Sequence, residues 1–176
     1  MRSSAKRERL SQAGISVPAG IIFVSVDFER ETILEALGRA HFDGAMPAFF
    51  AWLGVTPYLA REVVIATLKG IAKGVSVGSE IVFDFTTPPD DPRAKALQEA
   101  LAAHLDAAGE PLKSAFDPGA LTTEVRALGF RCVEVTDSAA LNARYFDRRN
   151  DGLVLLGVHP ADSRSPTRKA ADPPIG

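Results

Sequence analysis

Two places in this chain set side chains side by side in combinations that do chemistry. Arg144 and Tyr145 adjoin in LNARYF, and a guanidinium next to a phenol orients a carboxylate or a hydroxyl group. Asp27 and Phe28 adjoin where the β-branched run of residues 21–26 ends, which puts a carboxylate at a strand terminus. Tyr58 lies just past the run FFAWLGVTPYL and offers a second phenol. Each has a plainer account. Asp27 caps the next helix, Phe28 is core, Tyr58 packs on its own helix, and Arg144 pairs with Asp147.

Other chemistry-bearing residues carry less. His41, His104 and His159 are far apart and have no cysteines or paired carboxylates at metal-ligand spacing, so no metal site is expected. Asp84 sits inside an apolar run, where a strand-end carboxylate bonded to backbone amides is the simplest reading. Cys132 alternates with Arg131 and Val133 and lacks a nearby histidine to activate it, which makes it a core residue.

These residues need elements to hold them. In FFAWLGVTPYL a continuous apolar run stops at Gly54 and gives way to a polar turn and a helix, as a buried parallel strand does where it delivers residues to a cleft. Strands are predicted over residues 21–26, 48–53 and 80–85. Helices are predicted over 6–13, 32–40 and 61–72, the last burying Val64, Ile65, Leu68 and Ile71 at helical spacing. Pro88, Pro89 and Pro92 bar the next loop from helix, and an alanine- and leucine-rich amphipathic helix covers 93–108. Asp117 is the N-cap and Pro118 the first residue of a helix running to Leu128. Residues 130–135 form a strand, 139–146 a short helix or loop, and 153–158 a last strand. The proline-containing, mixed-charge tail of residues 161–176 is expected to be disordered, leaving one domain over 1–160.

Composition sets the outer limits. A chain of 176 residues, 46% hydrophobic and 24% charged, suits one globular domain. Its net charge of −2 and scattered cations give no field for a nucleic-acid backbone, so no nucleic-acid partner is expected. A single cysteine, no long apolar stretch and no signal-type start point to a soluble protein of a reducing compartment, most simply the cytoplasm, without a membrane partner.

The segments VSVDFE, FFAWLGVTPYL, GSEIVFDF, GEPLKSAFDP, LRALGF and LNARYF, in this order and at these separations, resemble the C-terminal part of the leucine carboxyl methyltransferase family. Its bacterial members are assigned as S-adenosylmethionine-dependent O-methyltransferases. The resemblance implies an α/β, Rossmann-like methyltransferase sheet of seven strands in the order 3-2-1-4-5-7-6, with S-adenosyl-L-methionine lying across the carboxyl ends of the first four. Residues 21–26, 48–53 and 80–85 then correspond to the third, fourth and fifth strands, and the last two predicted strands to the sixth and seventh. The first two strands, with their glycine-rich turn and ribose-binding acid, have no counterpart.

On that resemblance Asp27 accepts from the adenine amine, Phe28 packs on the adenine ring, and Leu53 and Gly54 leave the fourth strand beside the cofactor. Some relatives carry a glutamate where Leu53 stands. Tyr58, Arg144 and Tyr145 are the substrate-side candidates, for a small-molecule carboxylate or hydroxyl acceptor. A carboxylate acceptor needs little acid or base help, because positioning it in line supplies much of the rate, so no catalytic residue is assigned.

The incomplete sheet has a mechanical consequence. With two strands absent between them, the third and fourth would lie about 14 Å apart. Either residues 21–26 slide against the fourth strand, or two apolar edges stay open to another chain. The expectation is therefore a truncated or mis-started methyltransferase, inactive alone, whose other half is encoded upstream or supplied in trans. The alternatives are a non-catalytic remnant that self-associates, and a nucleotide-dependent enzyme of another doubly wound family, which the absent glycine loop also disfavours.

Overall fold

In the computed structural model the described residues are 2–28, 30–89 and 92–153. Their centre is a pair of parallel strands, β1 (Phe49–Trp52) and β2 (Glu80–Phe83), in register from Phe49 opposite Glu80 to Trp52 opposite Phe83. The helix between them, α3 (Arg61–Gly74), makes the crossover that two parallel strands require. Before the sheet come α1 (Arg2–Gln12) and α2 (Ile33–Arg39), and after it α4 (Pro92–Ala107), α5 (Pro118–Ala127) and α6 (Ser138–Leu141), which runs into a π turn at Asn142–Phe146.

Local chemistry sets these boundaries. Thr32 caps α2 by accepting from the Glu35 amide, and Glu35 accepts in return from the Thr32 amide at 2.8 Å, a capping box written in the sequence as T-x-x-E. Asp117 accepts from the Ala120 amide at 2.7 Å with Pro118 at the first helical position, as the sequence predicts. Pro92 does not hold the loop off helix; it opens α4, where a missing N–H costs nothing. At the far end of α3, Gly74 admits Leu34 of α2 so closely that a Cβ would lie 2.1 Å from Leu34 Cδ1.

The core lies on one face of the sheet. Trp52, Ile81 and Phe83 are buried there with Val64, Leu68 and Ile71 of α3 and Leu121 and Val125 of α5. In α3, Thr67 rather than Ile65 fills the fourth buried position, its hydroxyl satisfied by Val63 O at 2.8 Å. Rings form a continuous row, Phe28 on Trp52 at 5.7 Å, then Phe83, Phe85 and Phe116 at 6.1–6.3 Å spacings, and Arg61 lies over Phe116 while pairing with Glu124 of α5. On the other face Phe49 remains 65% exposed and Ala51 is exposed too.

Three sequence expectations are corrected. Residues 21–26 are extended but join no ladder, and Ile21 and Ile22 are exposed, because β1 has β2 as its sole ladder partner among the described residues. Their backbone bonds elsewhere: Ile21 donates to Pro18 O, and Ser25 O accepts from Arg39 at 3.2 Å, while Arg7 of α1 covers Phe23. Residues 130–135 likewise form no strand. Phe130 anchors them in the core, but Cys132 is an exposed free thiol rather than a core residue. The strand expected at 153–158 lies outside the described residues from 154 onward, as does the tail of 161–176.

Candidate functional site

A cleft of about 1160 Å³ opens at the carboxyl end of β1, between the turn that follows residues 21–26 and the segment that follows α4. Asp27, Phe28, Gly54 and Tyr58 all line it. Four of the seven sequence-derived site residues therefore meet at one place. Leu53 is 55% exposed and does not line the cleft, since its side chain alternates away from the face that Trp52 buries. Arg144 and Tyr145 are not brought there either: they sit exposed in the π turn, Arg144 over the Tyr145 ring at 5.3 Å.

The walls are built by short-range bonds. Gly54 turns the chain with φ of 69°, and its amide donates to Asp84 Oδ1 at 2.8 Å, so Asp84 is the strand-end carboxylate that the sequence suggested. The Thr56 hydroxyl donates to the Asp84 carbonyl and fastens the 3₁₀ turn Thr56–Tyr58 over β2. Asp27 does not cap α2, because Thr32 does; it begins a turn in which its carbonyl accepts from the Arg30 and Glu31 amides at 2.9 Å. Its carboxylate is half exposed, 3.6 Å from Arg30. Phe28 is half-buried, resting on Trp52.

Sequence reasoning missed the pair that shapes this turn. Arg39 bonds both oxygens of Glu31 and also Ser25 O, tying both residues to α2. That contact holds the Glu31 carboxyl below the usual glutamate range and raises the Arg39 guanidinium. The signal available was the TILE capping box, which places Glu31 one residue ahead of the cap of a helix whose last turn carries Arg39. Lys113 was missed as well. It lines the cleft opposite Asp27 from the segment GEPLKS, where its amide donates to Pro57 O at 2.7 Å.

Among the described residues lining the cleft, Asp27, Glu31 and Glu110 are acidic and Lys113 is cationic. A carboxylate next to a half-buried ring suits a flat heteroaromatic group carrying an amine, and the acidic wall suits a positively charged ligand. No cluster of metal-ligating side chains and no helix long and apolar enough to cross a membrane occurs among the described residues.

Parallel strands joined by a helix, with a cleft at the carboxyl end, define an α/β fold. Solved structures share it: a DUF574 family protein from Streptomyces avermitilis (TM-score 0.56, 14% identity, 93% of this chain and 63% of that one) and the S-adenosylmethionine-dependent methyltransferase SibL in its apo form (TM-score 0.52, 14% identity, 93% and 40%). The sequence profile described as leucine carboxyl methyltransferase matches residues 2–72. The Bacillus subtilis (strain 168) protein named "Putative S-adenosyl-L-methionine-dependent methyltransferase YktD" is 28% identical over 154 residues, 84% of this chain and 49% of its own length. By sequence, then, the chain resembles the leucine carboxyl methyltransferase family. It spans about half the length of that curated relative.

Proposed function

We propose that the chain carries the adenine end of an S-adenosyl-L-methionine site in an O-methyltransferase. The observation that carries this reading is the meeting of Asp27, Phe28 and Gly54 at the mouth of β1 in one cleft with an acidic wall. Asp27 accepts a hydrogen bond from the adenine amine, Phe28 packs on the ring with Trp52 behind it, and the bare backbone of Gly54 lets the ligand approach the strand end. When bound, the cofactor supplies an electrophilic methyl group on a sulfonium. Tyr58, at the same mouth, orients the acceptor oxygen in line with that methyl; a carboxylate acceptor becomes a neutral ester, so no residue has to take up a proton.

The same reading makes these 176 residues one side of a site whose glycine-rich turn and ribose-binding acid come from a complementary half, so that turnover requires both. The free thiol of Cys132 suits a reducing compartment such as the cytoplasm. Isothermal titration of the chain with S-adenosylhomocysteine tests the reading. The expected dissociation constant is about 1 mM, roughly half the binding free energy of a micromolar site, and Asp27→Asn weakens it further. Micromolar affinity would contradict the divided site, and the absence of binding would contradict the adenine site.

A second reading has an observation in its favour. Among the described residues β1 pairs on one side only, and Phe49 and Leu53 are exposed, which suits a non-catalytic association module of the same fold. It predicts an oligomer whose stability is indifferent to S-adenosylhomocysteine.

A further inference from the structure

Helix α4 is packed unlike α3 and α5. Among its described side chains none is fully buried, and Gln98, Ala102 and Leu105 are half-buried. Gln98 and Ala102 look onto a cavity of about 400 Å³ between α4 and residues 112–115, and the Gln98 amide reaches Thr87 O at 3.5 Å. Leu97 and Leu101 each stand one residue earlier, about 100° round the helix, and remain 60% and 49% exposed. With Leu105 they follow one another at i, i+4 and i+8 and so form a single apolar ridge. The small Ala100 beside Leu101 leaves room for a second helix to come close.

The charges of α4 also run against its own dipole. In α2 and α3 an acid stands in the first turn and a base in the last, Glu35 with Arg39 and Glu62 with Lys73, as the dipole favours. In α4 the first turn has no acid and carries Lys95, while Asp106 stands exposed in the last turn. Lys95 meets Glu99 at 3.9 Å, but both side chains are about two-thirds exposed, and a lysine four residues ahead of a glutamate is the weaker order of such a pair. An antiparallel helix with a basic start, an acidic end and an apolar ridge complements α4 on all three counts. A second α4 is such a helix.

We propose that two copies of this chain associate through α4, packed antiparallel about a two-fold axis at Leu101. Leu101 then meets Leu101 of the second copy, and Leu97 of each meets Leu105 of the other, so the ridge is complementary to itself. Lys95 and Asp106 lie on the same flank of the ridge, on opposite sides of Leu101 along the helix. The Lys95 end of one helix therefore lies alongside the Asp106 end of the other, and the two dipoles oppose. The 16 residues of α4 extend over about 24 Å, too short a strip for a standard stable interface, so the dimer is weak and reversible. This association rests on neither reading of function above and uses a surface apart from β1.

Sedimentation velocity of the 176-residue chain across a concentration series tests it. The expected result is a monomer–dimer equilibrium with a dissociation constant on the order of 100 μM. Leu101→Glu should weaken it tenfold or more, while Phe49→Glu on β1 leaves it unchanged. Lys95→Glu and Asp106→Lys should each weaken it severalfold, and the double variant should restore it, because the exchanged charges again face one another only in an antiparallel pair. Circular dichroism of each variant confirms that α4 is still helical, and the restored double variant shows that loss in the single ones is not unfolding. A monomer at millimolar concentration, a dimer that survives Leu101→Glu, one broken by Phe49→Glu, or a double variant as weak as the single ones would overturn the proposal.

Discussion

Gly54 and the Glu31–Arg39 pair decide most about the cleft at the scale of single residues. With φ of 69° and no atom within 4 Å of the place a Cβ would occupy, Gly54 is required by backbone conformation and not by space. Gly54→Ala should therefore lower stability by about 1 kcal/mol, measured by urea denaturation, with no repacking around it. The Arg39 bond depresses the Glu31 carboxyl, so the stability it contributes is fully present above the ordinary glutamate value and is lost as pH falls through the lower folded value. Arg39→Met should return the Glu31 titration, followed by carboxyl NMR, to its ordinary range and loosen the turn that carries Asp27 and Phe28. That Asp27, Phe28, Gly54 and Tyr58 lie beside a cleft was legible in the sequence, because they stand at or shortly after the end of an apolar run. Lys113 was not, since nothing in GEPLKS marks an extended strap, and its place depends on backbone bonds to Pro57 across the fold.

Among elements, helices were read more faithfully than strands for a physical reason. A helix satisfies its own backbone and announces its ends through caps, as Thr32 and Asp117 do here, whereas a strand exists only if a neighbour pairs with it. Residues 21–26 and 130–135 have the β-branched composition of strands, yet no described neighbour completes a ladder with them. Arg144 and Tyr145 were misplaced for a related reason: their local motif is sound, but their distance from the cleft depends on how α6 packs. The end of α2 offers a prediction. His41 follows the Ala40 cap with φ of 58°, a left-handed position where glycine is the easier residue. His41→Gly should raise stability by about 1 kcal/mol, read as an increase in melting temperature.

At the scale of the molecule, the central fact is that the described residues form a two-stranded parallel sheet with one well-packed face and Phe49 and Ala51 exposed on the other. Parallel sheets are ordinarily covered on both faces, and here Phe49 is 65% exposed on the face opposite the core. The fold class was legible from alternating elements, and the family resemblance from six ordered segments. The number of paired strands was not, because pairing is a property of neighbours and not of the segment that pairs.

The most direct test of the central claim is a residue-by-residue NMR map of S-adenosylhomocysteine added to the isotopically labelled chain. The account predicts saturable shifts at Asp27, Phe28 and Gly54, with perturbation of the Trp52 indole that lies against Phe28. Binding that leaves these residues unmoved, or no saturable shift in a folded sample, would contradict it.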